Sequence, residues 1–295
     1  MKLANPMKYK LKHKTLYTYV NEVHNYQSIL CLQPRNSDKQ ICRNFKLEIE
    51  PTPSKIYSRI DYFGNIQHYF SLHESHKSLK VVVSSEIEVL ANVVQPINTI
   101  TCDEAREKFS TNLPLKVEVL QYQLPSQYIS WDEEIVAFAE TCLLPTSSLY
   151  EGILNLIKKI YTEFQFKSGA TNVNTPLKTV LKERKGVCQD FSHLAIASLR
   201  SVGIPAKYVS GYIETMPPKG KPKLEGSDAS HAWISVYIPE MGWCEFDPTN
   251  NMIPQQRHII TAYGRDFADV SPLKGIIFSS GDHKVKVEVD VIPLV

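Results

Sequence analysis

The sequence predicts an α+β fold, and three observations lead to that prediction. Up to about residue 90, runs of β-branched and aromatic residues alternate with turn residues, which is typical of strands. From about residue 100, apolar residues recur every three or four positions, which is typical of helices. After residue 205, further alternating runs predict an antiparallel sheet. We therefore expect a β domain at residues 1–95, a helical connecting segment at 96–145 and an α+β core at 146–295.

The composition is that of an ordinary soluble globular protein. Hydrophobic residues make up 43% of the 295 positions and charged residues 22%, which is enough apolar material for packed cores and excludes disorder as the main state. The 33 Lys and Arg against 31 Asp and Glu leave a net charge of +2. Binding to nucleic acid or to an anionic membrane through bulk charge is therefore not expected.

The sequence carries no targeting or membrane segment that we recognise. Its first ten residues lack the apolar region of a secretory signal, and no stretch reaches the roughly 18 apolar residues of a membrane helix. The six cysteines are too few for a disulfide scaffold, and none forms a C-x-x-C pair. These features predict a reduced, cytoplasmic protein.

Four strands are predicted in the amino-terminal domain, at residues 9–19, 45–49, 56–62 and 80–89. Turn residues separate them, such as Pro51-Thr52-Pro53 and Phe63-Gly64-Asn65. The region contains no periodic segment of helix length. We therefore expect a sandwich-like β domain and assign no catalytic chemistry to it.

Helices are predicted at residues 103–109, 131–142, 153–164 and from about 176 to 184. Ser148 and Glu151 form a capping box before the third helix. Pro176 suits the first position of the fourth helix, and Gly186 is expected to end it. The stretch at 217–226, rich in proline, lysine and glycine, is interpreted as an exposed loop.

The most informative helix is predicted at residues 188–202. Its apolar residues are three or four positions apart and form one buried face: Phe191, Leu194, Ala195, Leu199 and Val202. Gly203 and Pro205 follow, which is the usual order at a helix end. Cys188 therefore lies in the first turn, where unpaired N–H groups and the helix dipole favour the thiolate form of a cysteine. A buried structural cysteine is the alternative.

A predicted hairpin brings a histidine and a carboxylate to one face of the sheet. The even positions of residues 231–238 are all apolar, and so are Cys244 and Phe246 in the next strand. If both even faces are buried in one core, the odd residues share the opposite face. His231 and Asp247 lie on that odd face, where Glu245 is a rival carboxylate, and Cys244 is interpreted as a core residue.

Cys188, His231 and Asp247 have the residue types of a Cys-His-Asp triad. The histidine takes the thiol proton and returns it to the leaving group, while the aspartate fixes the histidine tautomer. Two alternatives stay open: His231 as an ordinary sheet histidine, and Asp247 as a turn residue in Asp-Pro-Thr-Asn. Gln189 is either an oxyanion donor or a helix cap, and the backbone N–H of Cys188 is a more general oxyanion donor.

A metal centre is the rival chemistry. Two sets of metal-ligand residue types occur: His68, His73 and His76, and Cys188, His231 and Cys244. Neither set has the paired short spacings of structural zinc sites, and no phosphate-binding, dinucleotide-binding or zinc-protease motif is present. We therefore expect no metal and no cofactor.

Three blocks of the sequence carry a family resemblance. They are Gly186-Val187-Cys188-Gln189-Asp190-Phe191, Ser230-His231-Ala232-Trp233, and Phe246-Asp247-Pro248-Thr249-Asn250. In this order they resemble the nucleophile, histidine and aspartate blocks of the bacterial transglutaminase-like superfamily, whose members are often described as cysteine proteases. The resemblance extends to residues 61–65 and 264–272. It implies a papain-like core, in which a nucleophile helix packs on an antiparallel sheet, with the triad on Cys188, His231 and Asp247.

One departure from the family bears on the reaction. Animal transglutaminases have Gln-Cys-Trp at the nucleophile, whereas here Val187 precedes Cys188 and Gln189 follows it. Trp131 is a weak match to the upstream tryptophan that serves those enzymes as an oxyanion donor. This departure weakens the case for protein crosslinking and leaves the thiol chemistry unchanged.

The candidate oxyanion- or substrate-binding residues are Gln189, Trp233 and Arg265, although a salt link that braces its own loop suits Arg265 equally well. The predicted function is that of a thiol enzyme that cleaves or transfers acyl groups at a peptide or protein amide through an acyl-thioester on Cys188. Hydrolysis is favoured because nothing in the sequence marks a dedicated amine site. The alternative is a catalytically silent binding or scaffold protein that keeps the fold.

Overall fold

The computed structural model describes residues 5–90, 99–215, 226, 228–278 and 281–294. The loop expected at 217–226 lies, except for Gly226, outside the described residues. The strands are β1 (Met7–Leu30), β2 (Gln40–Glu50), β3 (Ile56–Ile60), β4 (Ile66–Leu72), β5 (His76–Val89), β6 (Gln165–Phe166), β7 (Lys185–Gly186), β8 (Ala206–Ile213), β9 (Ser230–Ile238), β10 (Gly242–Phe246), β11 (His258–Gly264), β12 (Leu273–Phe278) and β13 (His283–Leu294). The helices are α1 (Cys102–Thr111), α2 (Leu113–Val119), α3 (Glu133–Glu140), α4 (Leu149–Glu163), α5 (Leu177–Glu183), α6 (Cys188–Ser201) and α7 (Phe267–Val270), with a short 3-10 helix at Leu120–Tyr122.

No helix in the described part of the chain combines the length and the apolar character needed to cross a bilayer. The cytoplasmic location stays a prediction.

The amino-terminal domain is built around β1, whose two halves pair with different strands. The first half pairs with β5 and β13, and the second half with β4 and β12, all antiparallel. β2 and β3 complete the strand order β2-β5-β1-β4-β3. Buried side chains of β1 and of the strands that pair with its two halves form one core, among them Tyr19, Val23, Phe70 and Val83. The predicted sandwich-like β domain is therefore confirmed.

Three strands of this domain differ from the sequence-based expectation. β4 is not among the predicted strands, and β12 and β13 lie in the range expected to belong to the core, although both pair with β1. Alternation over residues 284–291 indicates a strand but carries no information about the sheet that the strand joins. Partner choice depends on which neighbouring edge is free in the folded chain, and a local pattern does not record it.

In the core, α6 packs on a four-stranded antiparallel sheet of order β10-β9-β8-β11. Ile234 and Val236 of β9 are buried against Phe191 and Leu194 of α6 in the same apolar cluster. The register places even residues opposite even residues, with Cys244 opposite Val236, as the alternation predicts. The α+β class and the packing of the helix on the sheet are confirmed.

The helical segment before α4 is part of this core and does not act as a linker. Cys102 and Phe109 of α1 and Ile135 of α3 are buried in the same apolar cluster as α6. The end of α5 also differs from the expectation, because Arg184 adopts a left-handed φ of 52° and ends the helix two residues before Gly186.

The amino-terminal domain is attached to the free edge of β11 by two side-chain amides. Gln40 donates from Nε2 to the carbonyl of Ile260 at 2.7 Å and accepts the N–H of the same residue at 2.8 Å. Asn65 makes the same pair of bonds with Tyr263, at 2.7 and 2.8 Å. Each amide therefore takes the place of one residue of a neighbouring strand at this edge, where the C=O of Ile260 also accepts the N–H of Arg35 at 3.4 Å.

Replacing Gln40 by alanine is expected to lower the free energy of unfolding by about 1–3 kcal/mol, because the buried N–H of Ile260 loses its acceptor and the C=O of Ile260 keeps only the 3.4 Å bond from the N–H of Arg35. Chemical denaturation of the full chain measures the effect. Gln256→Ala is the matched control, since Gln256 is half-buried and its amide makes a surface bond to the carbonyl of Asn5. Equal stability of the two variants would contradict this role of Gln40.

Candidate active site

Cys188 is the first residue of α6, and the segment before it is fixed by a buried carboxylate. Asp190 accepts the N–H of Val187 at 2.8 Å and the hydroxyl of Thr171 at 2.6 Å. A Cβ atom on Gly186 would lie 2.8 Å from Oδ2 of Asp190, so the close approach requires glycine. The Cys188 side chain is half-buried at the amino terminus of the helix, where the unpaired N–H groups are.

His231 lies at the start of β9, between Cys188 and Asp247. Its Nε2 atom is 2.7 Å from Oδ2 of Asp247, and Cys188 lies close enough to contribute to the raised pKa of the imidazole. Because Nε2 contacts the carboxylate, Nδ1 is the nitrogen available to the sulfur. The imidazole is only 7% exposed and the carboxylate is fully buried. The structure thus brings the three predicted triad side chains together.

The electrostatics of the pair favour a charged imidazole. Burial opposes the charge on His231, but hydrogen bonds to Asp247 and Cys188 outweigh burial and raise its pKa to about 10. Burial likewise opposes the charge on Asp247, but hydrogen bonds from His231 and His258 outweigh it and hold its pKa well below the ordinary value. At neutral pH an imidazolium therefore lies near the sulfur of Cys188.

The carboxylate of Asp247 is held by the turn in which it lies. Its Oδ1 atom accepts the N–H groups of Thr249 and Asn250, at 2.9 and 3.1 Å. Its Oδ2 atom accepts from His231, from the Asn250 amide at 2.7 Å and from Nε2 of His258 at 3.1 Å. Asp247 is therefore both a turn residue and the partner of His231, because the turn fixes the carboxylate that contacts the imidazole.

Glu245, the rival carboxylate, makes other contacts. It accepts from Lys39 at 2.6 Å, from the indole N–H of Trp233 at 2.9 Å and from the hydroxyl of Tyr263 at 3.5 Å. It shares the sheet face with Asp247, but its charge is paired with the amino-terminal domain. Asp247 is the carboxylate that contacts the histidine.

The structure contradicts the substrate-binding role considered for Trp233. The side chain is completely buried, and its indole N–H is bonded to Glu245. Its ring lies against His231, with ring centroids 5.8 Å apart and an interplanar angle of 27°. Trp233 therefore supports the imidazole from behind and is not accessible to a substrate.

The two other binding candidates have different surroundings. The guanidinium of Arg265 bonds both oxygens of Asp269, at 2.9 and 3.0 Å, which is the loop-bracing contact considered as the alternative. Gln189 is half-buried in the first turn of α6, next to Cys188. Its role as an oxyanion donor stays a prediction.

Sequence reasoning missed two residues of this site. His258 belongs to β11, a strand that was not predicted, and no local motif connects it to Asp247. Tyr208 of β8 is buried near Cys188 and Asp190 in the first turn of α6. Burial is the main cause that raises the pKa of its hydroxyl well above the ordinary value, and the two neighbouring groups add to the effect. Asn250 belongs to the block that resembles the family, but the hydrogen bond from its amide to Asp247 is seen only in the structure.

His231, Asp247 and His258 also have metal-ligand residue types, with ligand atoms all within 4.8 Å of one another. Two imidazole N–H groups and an amide already donate to the single oxygen that they share, so the geometry fits a hydrogen-bonded network. The three histidines clustered in the sequence bond to different neighbours: His68 to Ser58 and Gln33, His73 to Asn25 and Ser71, and His76 to the carbonyl of Glu74.

A cavity of about 250 Å³ lies between residues 127–135 and 173–178. Aromatic side chains of Tyr128 and Trp131 and polar side chains of Ser130, Asn174 and Thr175 line it. The loop that forms one wall starts where the N–H of Lys167 bonds the carbonyl of Gly186, two residues before Cys188. The loop that forms this wall is therefore hydrogen-bonded to residues at the amino-terminal end of α6, although no residue of α6 itself lines the cavity.

Comparisons with known families match two regions of the chain. Residues 9–88 match the bacterial transglutaminase-like N-terminal region, and residues 136–248 match the transglutaminase-like superfamily. An uncharacterized protein from Mycobacterium tuberculosis is 36% identical to this chain, over 99% of the chain and 94% of that protein.

Two further similarities concern a solved structure and a named enzyme. The fold resembles that of a protein from Cytophaga hutchinsonii provisionally classed as a cysteine protease, with a TM-score of 0.78, 22% identity and coverage of 99% of this chain and 92% of the other. A protein-glutamine gamma-glutamyltransferase from Pseudomonas aeruginosa is 31% identical over 94 residues, which is 32% of this chain and 14% of that protein.

Proposed function

Because the chain belongs to the transglutaminase-like superfamily, we propose that it is a thiol enzyme that attacks a peptide or protein amide with Cys188 and forms an acyl-thioester. The observation that supports this proposal best is the line of side chains from Cys188 through His231 to Asp247, in which Cys188 lies near the imidazole and Nε2 of His231 is 2.7 Å from the carboxylate. A nucleophile, a base within hydrogen-bond reach and a group that orients the base are the parts that acyl transfer requires.

In the proposed reaction, the thiolate of Cys188 attacks the amide carbonyl carbon and the carbonyl oxygen becomes an oxyanion. The backbone N–H of Cys188 at the start of α6 is the proposed donor to that oxyanion. The imidazolium of His231 donates its proton to the departing amine as the C–N bond breaks. In the second half, His231 takes a proton from water, the hydroxide attacks the thioester, and the carboxylic acid leaves while Cys188 is released.

We propose that the acyl chain of the substrate reaches Cys188 by way of the cavity beside α6, because the loop on one side of that cavity is hydrogen-bonded to the residues before the nucleophile. Hydrolysis is the favoured outcome, since nothing in the described part of the chain marks a site for an acceptor amine. Similarity to the Pseudomonas gamma-glutamyltransferase makes glutamine side-chain amides a second substrate class to test. A panel of peptide amides and glutamine-containing peptides, with and without an acceptor amine, tests the proposal by product analysis.

At pH 6, iodoacetamide is expected to alkylate Cys188 at least about 100-fold faster than Cys42 or Cys244, because only Cys188 lies against an imidazolium. These two cysteines are matched controls, since all three are half-buried and burial raises the pKa of both controls. Peptide mass spectrometry after timed quenching measures the three rates.

In the variant His231→Asn, Cys188 is expected to react as slowly as the two controls. Similar rates for all three cysteines in the unmodified chain would contradict the thiol-enzyme proposal. Selective alkylation together with no turnover of any panel substrate would favour the catalytically silent binding protein.

A further inference from the structure

His258, at the start of β11, contacts the same carboxylate oxygen as His231. Its Nε2 atom lies 3.1 Å from Oδ2 of Asp247, and the corresponding distance for His231 is 2.7 Å. His258 is 4% exposed, so its contact with the carboxylate is shielded from solvent. The ring also packs edge-on against Trp233, with centroids 5.2 Å apart.

The surroundings of His258 fix which of its nitrogens carries the proton. Its Nδ1 atom is buried and has no hydrogen-bond partner among the residues that the structure describes. A proton on Nδ1 would therefore be buried without an acceptor, whereas a proton on Nε2 is accepted by Asp247. His258 is thus a donor to Oδ2 of Asp247 and competes there with His231.

We propose that His258 is a positioning residue that acts through Asp247: by donating to the oxygen that His231 contacts, it limits how strongly Asp247 holds the His231 proton. An anion shared between two donors attracts each of them less than an anion with one donor. This role rests on the proposed function, in which His231 must give its proton to the leaving amine. An imidazolium held too tightly is a poor general acid.

Charged groups from several elements surround the two imidazoles. Cys188 of α6 and Asp247 after β10 face His231. A small cavity beside His258 is lined by Lys39 of the amino-terminal domain and by Glu245. Those two side chains pair with each other at 2.6 Å, so their charges largely cancel near His258.

The test is a pH titration of the His231 ring by NMR in the full chain, comparing His258→Asn with His258→Gln. A glutamine amide nitrogen lies near the place of Nε2 and keeps the donor, whereas asparagine is too short to reach Asp247. We expect His258→Asn to raise the pKa of His231 by roughly one unit, and His258→Gln to change it by less than about 0.3. His68→Asn, which removes a buried histidine of the amino-terminal domain, is expected to leave His231 unchanged.

An unchanged or lowered pKa of His231 in His258→Asn would overturn the proposal, because loss of a merely structural contact loosens the His231–Asp247 bond. Equal shifts in both variants would also overturn it. Where a substrate is found, His258→Asn is expected to lower kcat about tenfold without changing KM. It is also expected to move the alkaline limb of the pH–rate profile to higher pH. The titration does not depend on turnover, so failure of the proposed function and failure of this inference are distinguishable.

Discussion

Cys188→Ala is expected to abolish acyl transfer, with kcat falling by at least about 10⁴-fold. The reason is that the sulfur forms the covalent intermediate, and the neighbouring side chains cannot replace it as nucleophile. Mass spectrometry of the protein after mixing with an amide or activated ester detects the acyl adduct, which is expected on the unmodified chain and absent from the variant. The free energy of unfolding is expected to change by less than about 1 kcal/mol, because Cys188 is half-buried.

Cys244→Ala is the matched control for this experiment. Cys244 is also half-buried, but it lies on the even face of β10, opposite Val236 and away from His231. The variant Cys244→Ala is expected to form the acyl adduct and to keep the kcat of the unmodified chain. An adduct that persists in Cys188→Ala, or that is lost equally in both variants, would contradict the assignment of the nucleophile.

The relation between His231 and Asp247 could be predicted from the sequence because a strand has a period of two. Once the even residues of β9 and β10 are assigned to the core, His231 and Asp247 must share the other face, and the observed register satisfies that condition. The start of α6 at Cys188 was equally predictable, since the apolar spacing and Gly203 define both ends of the helix.

His258 could not be predicted, because its position depends on a long-range pairing. β11 joins the sheet next to β8, and the register shifts between Ile260 and Ala262, so no spacing along the chain indicates that His258 reaches Asp247. The burial of Trp233 has a similar origin. Its indole N–H bonds Glu245, which is paired with Lys39 of the amino-terminal domain, 206 residues away in the sequence.

Asp247→Asn is expected to lower kcat by about 10⁴-fold while leaving the nucleophile Cys188 and the binding of the substrate amide in place. The asparagine amide presents no negative charge to Nε2 of His231, so the imidazolium and the correct tautomer lose their stabilisation. Asp61→Asn is the control, because Asp61 also accepts two backbone N–H groups on Oδ1 and two side-chain amides on Oδ2, in the amino-terminal domain. Steady-state kinetics with the substrate found by the panel compares the two variants.

The same substitution is expected to lower the free energy of unfolding by about 3 kcal/mol at pH 6, since it leaves a buried imidazole without its charge partner. His231 has its pKa raised to about 10 in the folded chain, so the stability from its protonation is complete below its unfolded pKa of about 6.5 and is lost as the pH rises through 10. The difference between the unmodified chain and Asp247→Asn should therefore shrink between pH 6.5 and 10. Denaturation at several pH values measures it, and a difference that stays constant or grows would show that the His231–Asp247 pair is not the source of the stability.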